Sequence, residues 1–343
     1  MRIMVIVGCR PEAIKMAPVI KLLGNEAIVV STGQHKEMLK QALEIFDITP
    51  DISLDVMEPN QKLDTTSAKI INELHGVIET HKPSYILVQG DTTTAFCGAL
   101  AGFYNQIPVG HIEAGLRTYD TDPYPEESHR RMISMIASDH FAPTQYAANN
   151  LKNDNVLGDI IVTGNTVVDA LLMMKKEVIR EEAYCLVTCH RRENFKYLDE
   201  ICDNISALSG VIKIVMPVHP NPNVHDKVHR LLGSNHNIEL LEPLDYQTMV
   251  NLMYGAKLIV TDSGGIQEEA AALHRPTLVM RESTERQEGI ESGIAILGGT
   301  NFYNIACEVL SNKAIYNKMV ESINPYGEGN ASSIIVSYIL KGA

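Results

Sequence analysis

The amino-acid sequence predicts an α/β fold made of two doubly wound domains, and three observations support that prediction. Short apolar runs alternate with helical patterns along nearly all of the 343 residues, a length that suits two domains better than one. The alternation restarts after Gly164-Asn165 with a second series of strands and helices. Polar residues follow directly after many of the apolar runs, which is where sheets of this class bind ligands.

The first domain is predicted over residues 1–165. Its strands are predicted at Ile3–Val7, Ile28–Ser31, Tyr85–Gln89, Val109–Ile112, His140–Ala142 and Ile160–Thr163. Helical patterns between the strands are predicted at Met16–Leu23, Glu37–Phe46, Leu63–His81, Thr93–Tyr104 and Ser128–Ala137. This alternation predicts a parallel sheet with helices on both faces, and right-handed crossovers bring the carboxyl ends of its strands to one edge.

The second domain is predicted over residues 166–325 by the same alternation. Its strands are predicted at Cys185–Thr188, Ile214–Val218, Ile238–Leu241, Leu258–Val260, Thr277–Met280 and Ile294–Leu297. The final helix, about Ala331–Lys341 within residues 326–343, is expected to pack back on the first domain. Two such domains are expected to face each other, with the ligand in the cleft between them.

The stretch Lys257–Ala270, KLIVTDSGGIQEEA, predicts a buried strand, a tight turn and a helix. Ser263 stands at the N-cap position, and Gly264 and Gly265 allow a ligand to approach the backbone closely. Unpaired N–H groups and the positive dipole end make such a helix start an anion site. Glu269 projects from the next turn, where its carboxylate is able to accept two hydrogen bonds from the diol of a ribose. A capped strand–turn–helix without a ligand is the alternative interpretation.

Composition and charge narrow the function further. The formal net charge is −13 without a basic cluster, so neither nucleic acid nor an anionic membrane is an expected partner. No apolar run is long enough for a membrane span, and the scattered cysteines indicate a reduced, cytoplasmic protein. No spacing predicts a metal site, and no G-x-G-x-x-G signals a nicotinamide cofactor. The P-loop and the G-x-S-x-G elbow are absent as well.

Three acidic residues from three different loops of the first domain are the candidate catalytic groups: Asp91, Glu113 and Glu126. Carboxylates that lie close together raise one another's pKa, which provides a base and an acid at neutral pH. Four cations at strand ends are candidates to neutralise a diphosphate, namely Arg10, Lys15, His190 and Arg286. Alternatives stay open for three residues: an N-cap for Asp91, a first-turn acid for Glu126 and a solvated histidine for His190.

Ten stretches that run in order over nearly the whole chain resemble one family, the non-hydrolysing UDP-N-acetylglucosamine 2-epimerases. They are Arg10–Pro18 (RPEAIKMAP), Gly33–Leu39 (GQHKEML), Gln89–Thr93 (QGDTT), His111–Thr118 (HIEAGLRT), Pro125–Glu127 with Arg130, His190–Phe195 (HRRENF), Pro217–Pro222 (PVHPNP), Glu242–Tyr246 (EPLDY), Thr261–Ala270 (TDSGGIQEEA) and Met280–Arg286 (MRESTER). The resemblance implies two Rossmann-like domains in a glycosyltransferase-B-like architecture. It also implies reversible conversion of UDP-N-acetylglucosamine (UDP-GlcNAc) to UDP-N-acetylmannosamine (UDP-ManNAc) without a cofactor.

The family's reaction implies a role for each matching residue. A base removes the proton at sugar C2 while UDP leaves C1, and UDP then adds back to the 2-acetamidoglucal while a proton reaches the other face. The resemblance puts Asp91, Glu113 and Glu126 in the proton-transfer set, without assigning a face to any of them. It implies diphosphate contacts from Arg10, His190, Ser263, Gly264, Gly265 and Arg286, a ribose contact from Glu269, and support from Lys15, Arg130 and His219. His190 is also counted among the catalytic residues, because a contact of this kind makes UDP a good leaving group.

Three positions depart from the family pattern: Cys9 replaces a usual Thr, Cys189 a usual Gly, and Met249 a frequent aromatic. Both thiols are expected beside the site, which suggests sensitivity to thiol reagents. Met249 is expected to cover the uracil with a flexible apolar side chain and to stack more weakly. The resemblance further implies a homodimer and, in some members, activation by a second UDP-GlcNAc in a region that matches Gln34 and His219.

Four alternatives stay open beside this interpretation. The hydrolysing 2-epimerases release UDP and free ManNAc, but their opening loop usually differs from Arg-Pro-Glu-Ala-Ile-Lys. A glycosyltransferase of the same architecture would need an acceptor and would not exchange the C2 proton. A catalytically inactive nucleotide-sugar binding protein and an epimerase of a diacetamido uronic acid nucleotide complete the set. If UDP-ManNAc is the product, its sugar is expected to feed capsules, teichoic acid linkage units or other surface glycans.

Overall fold

The computed structural model describes residues 1–33, 36–54, 56, 61–189 and 192–342, apart from the side chains of residues 36–38, 192, 193 and 223. These residues form two compact units. The first unit consists of Met1–Met173 with Tyr326–Ala343, and the second consists of Met174–Pro325. The predicted α/β fold class is confirmed, because each unit has a parallel sheet whose strands are connected through helices.

The sheet of the first unit has seven strands. They are β1 (Ile3–Val7), β2 (Ala27–Ser31), β3 (Ile52–Ser53), β4 (Tyr85–Gln89), β5 (Val109–Ile112), β6 (Asp139–Ala142) and β7 (Asp159–Val162). Their order across the sheet is β3-β2-β1-β4-β5-β6-β7, so the winding direction reverses between β1 and β4. Ligands of doubly wound sheets bind at the carboxyl edge beside such a reversal.

Eight helices among the described residues accompany this sheet. They are α1 (Arg10–Leu23), α2 (Lys36–Glu44), α3 (Leu63–His81), α4 (Thr93–Tyr104), α5 (Glu126–Ile136), α6 (Gln145–Asn153), α7 (Thr166–Met173) and α15 (Ala331–Lys341), and a short 3-10 turn covers Gly24–Glu26. Helix α1 begins six residues before the predicted Met16, because Pro11 suits a first turn and Glu12 accepts the Cys9 N–H. The polar residues predicted for the loop after β1 therefore lie on a helix.

The sheet of the second unit has six strands: β8 (Tyr184–Thr188), β9 (Lys213–Pro217), β10 (Ile238–Leu241), β11 (Leu258–Thr261), β12 (Thr277–Val279) and β13 (Ala295–Leu297). Their order is β10-β9-β8-β11-β12-β13, so the winding reverses between β8 and β11. A 3-10 helix (Arg192–Tyr197) precedes the helices α8 (Leu198–Leu208), α9 (Pro222–Leu232), α10 (Tyr246–Gly255), α11 (Gly264–Ala272), α12 (Gln287–Glu291), α13 (Tyr303–Ser311) and α14 (Lys313–Val320).

Helix α7 belongs to the first unit, whereas the sequence predicted that the second domain begins at residue 166. It packs against α1 and α15, and its Asp169 accepts a hydrogen bond from the Ser332 N–H at 2.8 Å, so it belongs to the first unit. Strand β3 and helix α6 were not predicted, since β3 has two residues and α6 has a mostly polar sequence. Within the described ranges, no helix is both long and apolar enough to cross a membrane.

Candidate active site

The carboxylate of Glu113 is held by three polar side chains at the carboxyl edge of the first sheet. Lys15 of α1 forms an ion pair with one oxygen, and Gln89 at the end of β4 donates to the other. Asn165 Nδ2 donates to Glu113 Oε1 at 2.9 Å. Glu113 is 8% exposed and has a φ of +65°, a conformation that is uncommon outside glycine and clusters at functional sites. Its carboxylate therefore has a fixed position with little access to water.

Asp91 lies in the loop between β4 and α4 and is bound by Arg130. The hydroxyl of Thr92 accepts the Ala95 N–H at 3.1 Å, so Thr92 is the N-cap of α4 and the N-cap interpretation of Asp91 is wrong. Arg130 Nε donates to Asp91 Oδ2 at 3.0 Å, and Nη2 donates to the same oxygen. Nη1 of the buried guanidinium donates to Glu127 at 3.1 Å. The guanidinium therefore sets the orientation of the Asp91 carboxylate.

Two buried side chains support the backbone of these loops, although the sequence analysis gave neither a role. Glu12 accepts the Cys9 N–H at 2.9 Å and the Thr92 hydroxyl. His111 Nε2 lies 2.7 Å from the carbonyl oxygen of Gly90. Desolvation raises the pKa of Glu12 and lowers the pKa of His111 to about 3, so the imidazole is neutral and donates to that oxygen. The sequence signal that could have identified them is a polar residue inside an apolar strand, for His111, or shortly after one, for Glu12.

The two unusual thiols beside the strand ends have raised pKa values. Desolvation and the neighbouring Glu12 raise the pKa of Cys9. Desolvation and then Asp262 raise the pKa of Cys189. Because the thiolate is the reactive form of cysteine, these environments make both thiols weak nucleophiles. The expected sensitivity to thiol reagents is therefore not supported at either position.

The remaining predicted residues of the first unit begin helices. Glu126 is the first residue of α5 and Arg10 the first residue of α1, and both are half-buried. Glu126 makes no side-chain hydrogen bond among the described residues, and its first-turn position is one that the helix dipole also favours for an acid. His190, a predicted catalytic residue, and Gln34 lie outside the described residues.

The start of α11 presents open backbone in the second unit. Ser263 is the N-cap residue, but its side chain makes no capping hydrogen bond. Among the described residues, no atom lies within 4 Å of a Cβ at Gly265, whereas a Cβ at Gly264 would lie 2.6 Å from Cζ of Arg286. The N–H groups of this first turn attract anions. The space over Gly265 therefore suits a phosphate group.

Arg286 packs against this helix start and is ion-paired to two buried acids. Its Nε donates to Glu268 Oε1 at 3.0 Å, and its Nη1 donates to Glu285. Glu285 also accepts from Arg281 Nη1 at 2.6 Å. Because Glu268 and Glu285 are almost fully buried, these contacts hold the Arg286 guanidinium against Gly264.

Glu269 is positioned by a tyrosine that the sequence analysis did not single out. The Tyr246 hydroxyl donates to Glu269 Oε1 at 2.7 Å, and both side chains are buried. Tyr246 begins α10, and half-buried Met249 lies three residues further along the same helix. His219 follows β9, and its Nδ1 accepts the Asn221 N–H at 3.1 Å.

The structure thus joins several predicted residues by direct contact. Lys15 contacts Glu113 and Arg130 contacts Asp91 in the first unit, while Arg286 lies against Gly264 in the second. Among the described residues, one group offers ligand atoms close enough for a metal ion, and no predicted site residue belongs to it: His225, His229 and Glu242.

Comparisons with known proteins agree with the resemblance in the sequence. The family model described as UDP-N-acetylglucosamine 2-epimerase matches residues 22–340. The chain is similar to the UDP-N-acetylglucosamine 2-epimerase of Neisseria meningitidis, with 43% identity over 99% of this chain and 100% of that one. A crystal structure of UDP-GlcNAc 2-epimerase from N. meningitidis bound to UDP-GlcNAc matches with a TM-score of 0.94, 43% identity and coverage of 99% and 100%. The Methanocaldococcus jannaschii UDP-GlcNAc 2-epimerase in complex with UDP-GlcNAc and UDP matches with a TM-score of 0.88, 33% identity and full coverage of both chains, 100% each.

Proposed function

The chain belongs to the UDP-N-acetylglucosamine 2-epimerase family, and we propose that it converts UDP-GlcNAc reversibly to UDP-ManNAc without hydrolysing the nucleotide sugar. The named relatives carry the epimerase activity in their names, and two of the structures similar to this chain contain UDP-GlcNAc. The elimination mechanism follows from the family resemblance, and the residue roles rest on that resemblance together with the geometry of each unit.

The observation that carries the proposal is a pair of oriented carboxylates on neighbouring strands. Glu113 follows β5 and Asp91 follows β4, and β4 pairs directly with β5. Glu113 also lies close to the residue before Asp91, because a Cβ at Gly90 would be 3.6 Å from Glu113 Oε2. Each carboxylate is paired with its own cation, Lys15 or Arg130. Inversion of a C–H centre needs one group to remove a proton and another to deliver one, and such a pair supplies both.

The proposed reaction has two steps that mirror each other. A carboxylate takes the C2 proton, the C–H electron pair forms the C1–C2 double bond, and the C1–oxygen bond breaks with its electrons on UDP. A UDP oxygen then attacks C1, and the double-bond electrons take a proton from an acid on the opposite face of C2. We assign this proton transfer to Glu113, Asp91 and Glu126, with His190 as a further catalytic residue.

The second unit is proposed to bind the nucleotide. The start of α11, with Ser263, Gly264 and Gly265, is suited to the diphosphate, since its N–H groups and open space favour an anion. We assign Arg286 and Arg10 to neutralising the negative charge of this diphosphate. Glu269, held by Tyr246, is suited to the ribose hydroxyls, and Met249 to the uracil. Lys15, Arg130 and His219 complete the proposed substrate contacts.

The family resemblance supports three further proposals. The protein is a homodimer, it acts in the cytoplasm, and a second UDP-GlcNAc activates it from a region that includes Gln34 and His219. Sedimentation velocity tests the first of these. Initial rates of UDP-ManNAc conversion with and without added UDP-GlcNAc test the activation, which would be excluded by rates that show only competition.

The decisive experiment is NMR of UDP-GlcNAc incubated with the purified protein in D2O, with no cofactor added. The expected result is UDP-ManNAc together with deuterium at C2 of both nucleotide sugars. Free UDP with free ManNAc would instead identify a hydrolysing epimerase. If no deuterium enters from either UDP-GlcNAc or UDP-ManNAc, epimerisation of this substrate is excluded, and a screen of acceptors would test the glycosyltransferase alternative.

A further inference from the structure

Two histidines of helix α9 and a glutamate at the carboxyl end of strand β10 come together in the second unit. His225 and His229 are four residues apart on α9, which puts both rings on one face of the helix, with centroids 4.3 Å apart. Glu242 follows β10, an edge strand of the sheet, and its Oε1 lies 3.6 Å from His225 Nε2. One ligand atom from each residue lies within 4.8 Å of the other two.

The surroundings of both rings favour ligation over ordinary hydrogen bonding. Asp226 Oδ1 lies 3.3 Å from His225 Nδ1, which turns the opposite nitrogen toward Glu242. A carboxylate on the far nitrogen is the arrangement that orients metal-bound histidines. His229 Nε2 is buried and has no hydrogen-bond partner among the described residues. Buried polar atoms nearly always have a partner, so binding a cation through this nitrogen would satisfy it.

We propose that His225, His229 and Glu242 bind one divalent transition-metal ion of the Zn²⁺ class. Two imidazoles and one carboxylate are the ligands such ions prefer, whereas Mg²⁺ and Ca²⁺ take oxygen ligands almost exclusively. The ligand atoms of tetrahedral zinc lie roughly 3.4 Å apart for bonds of about 2.1 Å. Side-chain rotations that move these atoms by about 1 Å would therefore bring all three within bonding distance of one ion. Water fills the fourth position. The site shares no residue with the proposed substrate contacts.

The bound ion joins two elements whose buried residues belong to the same hydrophobic core. Helix α9 contributes both histidines, and the residue after the edge strand β10 contributes the glutamate. Because the ion binds the folded second unit and not the unfolded chain, it stabilises that unit by a free energy that grows with the logarithm of its concentration relative to its Kd. No metal site was expected from the sequence, since His-x-x-x-His alone does not reveal a third ligand that is distant in sequence.

Titration of the untagged, metal-free chain with Co²⁺ tests the proposal. One equivalent of Co²⁺ is expected to give the visible absorption of a tetrahedral or five-coordinate N/O site, without the near-ultraviolet band of a Co–thiolate bond. Calorimetry with Zn²⁺ is expected to give one site, which a tenfold excess of Mg²⁺ does not displace. A thiolate band at the first equivalent would assign the ion to the cysteines and overturn the proposal.

Variants distinguish this site from incidental binding by other histidines. His225→Asn, His229→Asn and Glu242→Gln are each expected to weaken Zn²⁺ binding tenfold or more, since even the loss of an outer partner costs about 10- to 100-fold. His236→Asn, an exposed histidine of the same unit, is the matched control and should bind like the parent chain. Zn²⁺ should raise the Tm of the parent and of His236→Asn but not of the His225→Asn/His229→Asn double variant. Equal affinity in the double variant and the control, or no binding by the parent, would overturn the site.

Discussion

The carboxyl edges of the two sheets are built in opposite ways. The first edge presents charged side chains, and two of the three candidate carboxylates have a cation in contact: Glu113 with Lys15, and Asp91 with Arg130. The second edge presents backbone, since the helix start at Gly265 is open and the nearby Arg286 is ion-paired to buried acids. Both edges lie beside the reversal of winding in their own sheet, so topology alone does not distinguish them.

This difference separates chemistry from binding. Oriented carboxylates suit proton transfer, which depends on the position and the protonation state of a few atoms. Exposed N–H groups suit a diphosphate, which several weak and fixed dipoles can hold without a titrating group. Substitutions of the carboxylates at the first edge should therefore lower kcat, whereas substitutions at Gly265 and Tyr246 of the second edge should mainly weaken nucleotide binding.

The largest effect is expected from removing one charge at the first edge. Asp91→Asn keeps the shape of the side chain but removes the carboxylate that Arg130 orients, so kcat for epimerisation should fall by roughly 10²- to 10⁴-fold. The KM for UDP-GlcNAc should change little. Initial rates measured by coupled assay, together with C2 deuterium exchange, check the prediction.

Glu127→Gln is the matched control, because Glu127 is the other carboxylate that contacts Arg130. Glu127 is 1% exposed and accepts the Thr118 N–H at 3.0 Å, so its loss should cost about 1–3 kcal/mol of stability and far less of kcat. If both variants lose the same factor in kcat, Arg130 is the group that matters and Asp91 is not a catalytic residue.

The second effect is an acid sensitivity that belongs to the first unit. His111 is fully buried with a pKa lowered to about 3 by desolvation, while in the unfolded chain it titrates near 6.5. The unfolded state therefore binds the proton first, and stability is lost as the pH falls from about 6.5 toward 3. At pH 5 this amounts to about 2 kcal/mol, or 1.36 kcal/mol for each pH unit below 6.5.

Urea unfolding at pH 7 and pH 5 measures this loss in the parent chain and in His111→Gln. The variant should be less stable at pH 7, because its backbone partner Gly90 loses a hydrogen bond, but it should lose about 2 kcal/mol less on acidification. His75→Gln, an exposed histidine of α3, should follow the parent. Identical pH dependence in all three chains would rule out His111 as the acid-sensitive group.

A smaller effect is expected from filling the open space of the second edge. Gly265→Ala adds a methyl group at a point with no atom of the described residues within 4 Å, so the free protein should keep its Tm or gain from the higher helix propensity of alanine. If a phosphate occupies that space, UDP should bind about tenfold more weakly, a loss of about 1.4 kcal/mol. Calorimetry with UDP and thermal unfolding without ligand together give both quantities.

Gly264→Ala is the contrasting variant, since its methyl group would lie 2.6 Å from the guanidinium carbon of Arg286. Glu268 and Glu285 hold that guanidinium, so the clash cannot be relieved cheaply and the Tm should fall by several degrees. Unchanged UDP affinity in Gly265→Ala would mean that the diphosphate lies elsewhere.

The two edges also differ in how far the sequence could predict them. Strand ends such as Asp91, Glu113 and Ser263 follow from apolar runs and from parallel-sheet topology, because every strand of such a sheet ends at the same edge. The hydrogen-bond partners of these residues cannot be predicted in the same way when they come from distant parts of the chain. Asn165 reaches Glu113 across 52 positions, and no local pattern encodes that contact.

Competition between neighbouring residues for the same structural position explains another wrong prediction. At the start of α4 both Asp91 and Thr92 suit an N-cap, and propensity alone cannot choose between them. The structure uses Thr92, whose hydroxyl also donates to Glu12, and this leaves the carboxylate of Asp91 for Arg130. His111 stands inside an apolar strand, which marks it as unusual without naming its partner, and Tyr246 stands between two polar residues at a helix start. The role of each appears only through the polar atom that it contacts.

The smallest effect should come from Tyr246→Phe, which removes one hydroxyl and keeps the ring that packs in the core. Glu269 would lose a hydrogen bond of 2.7 Å, worth about 1 kcal/mol, so the KM for UDP-GlcNAc should rise about fivefold with kcat unchanged. UDP and 2′-deoxy-UDP separate a ribose contact from a general loosening of α10. If Glu269 binds the ribose, the parent should prefer UDP and the variant should lose most of that preference. If the variant binds UDP and 2′-deoxy-UDP more weakly by the same factor, Tyr246 contributes packing only. The second edge would then bind the diphosphate without a specific contact to the ribose.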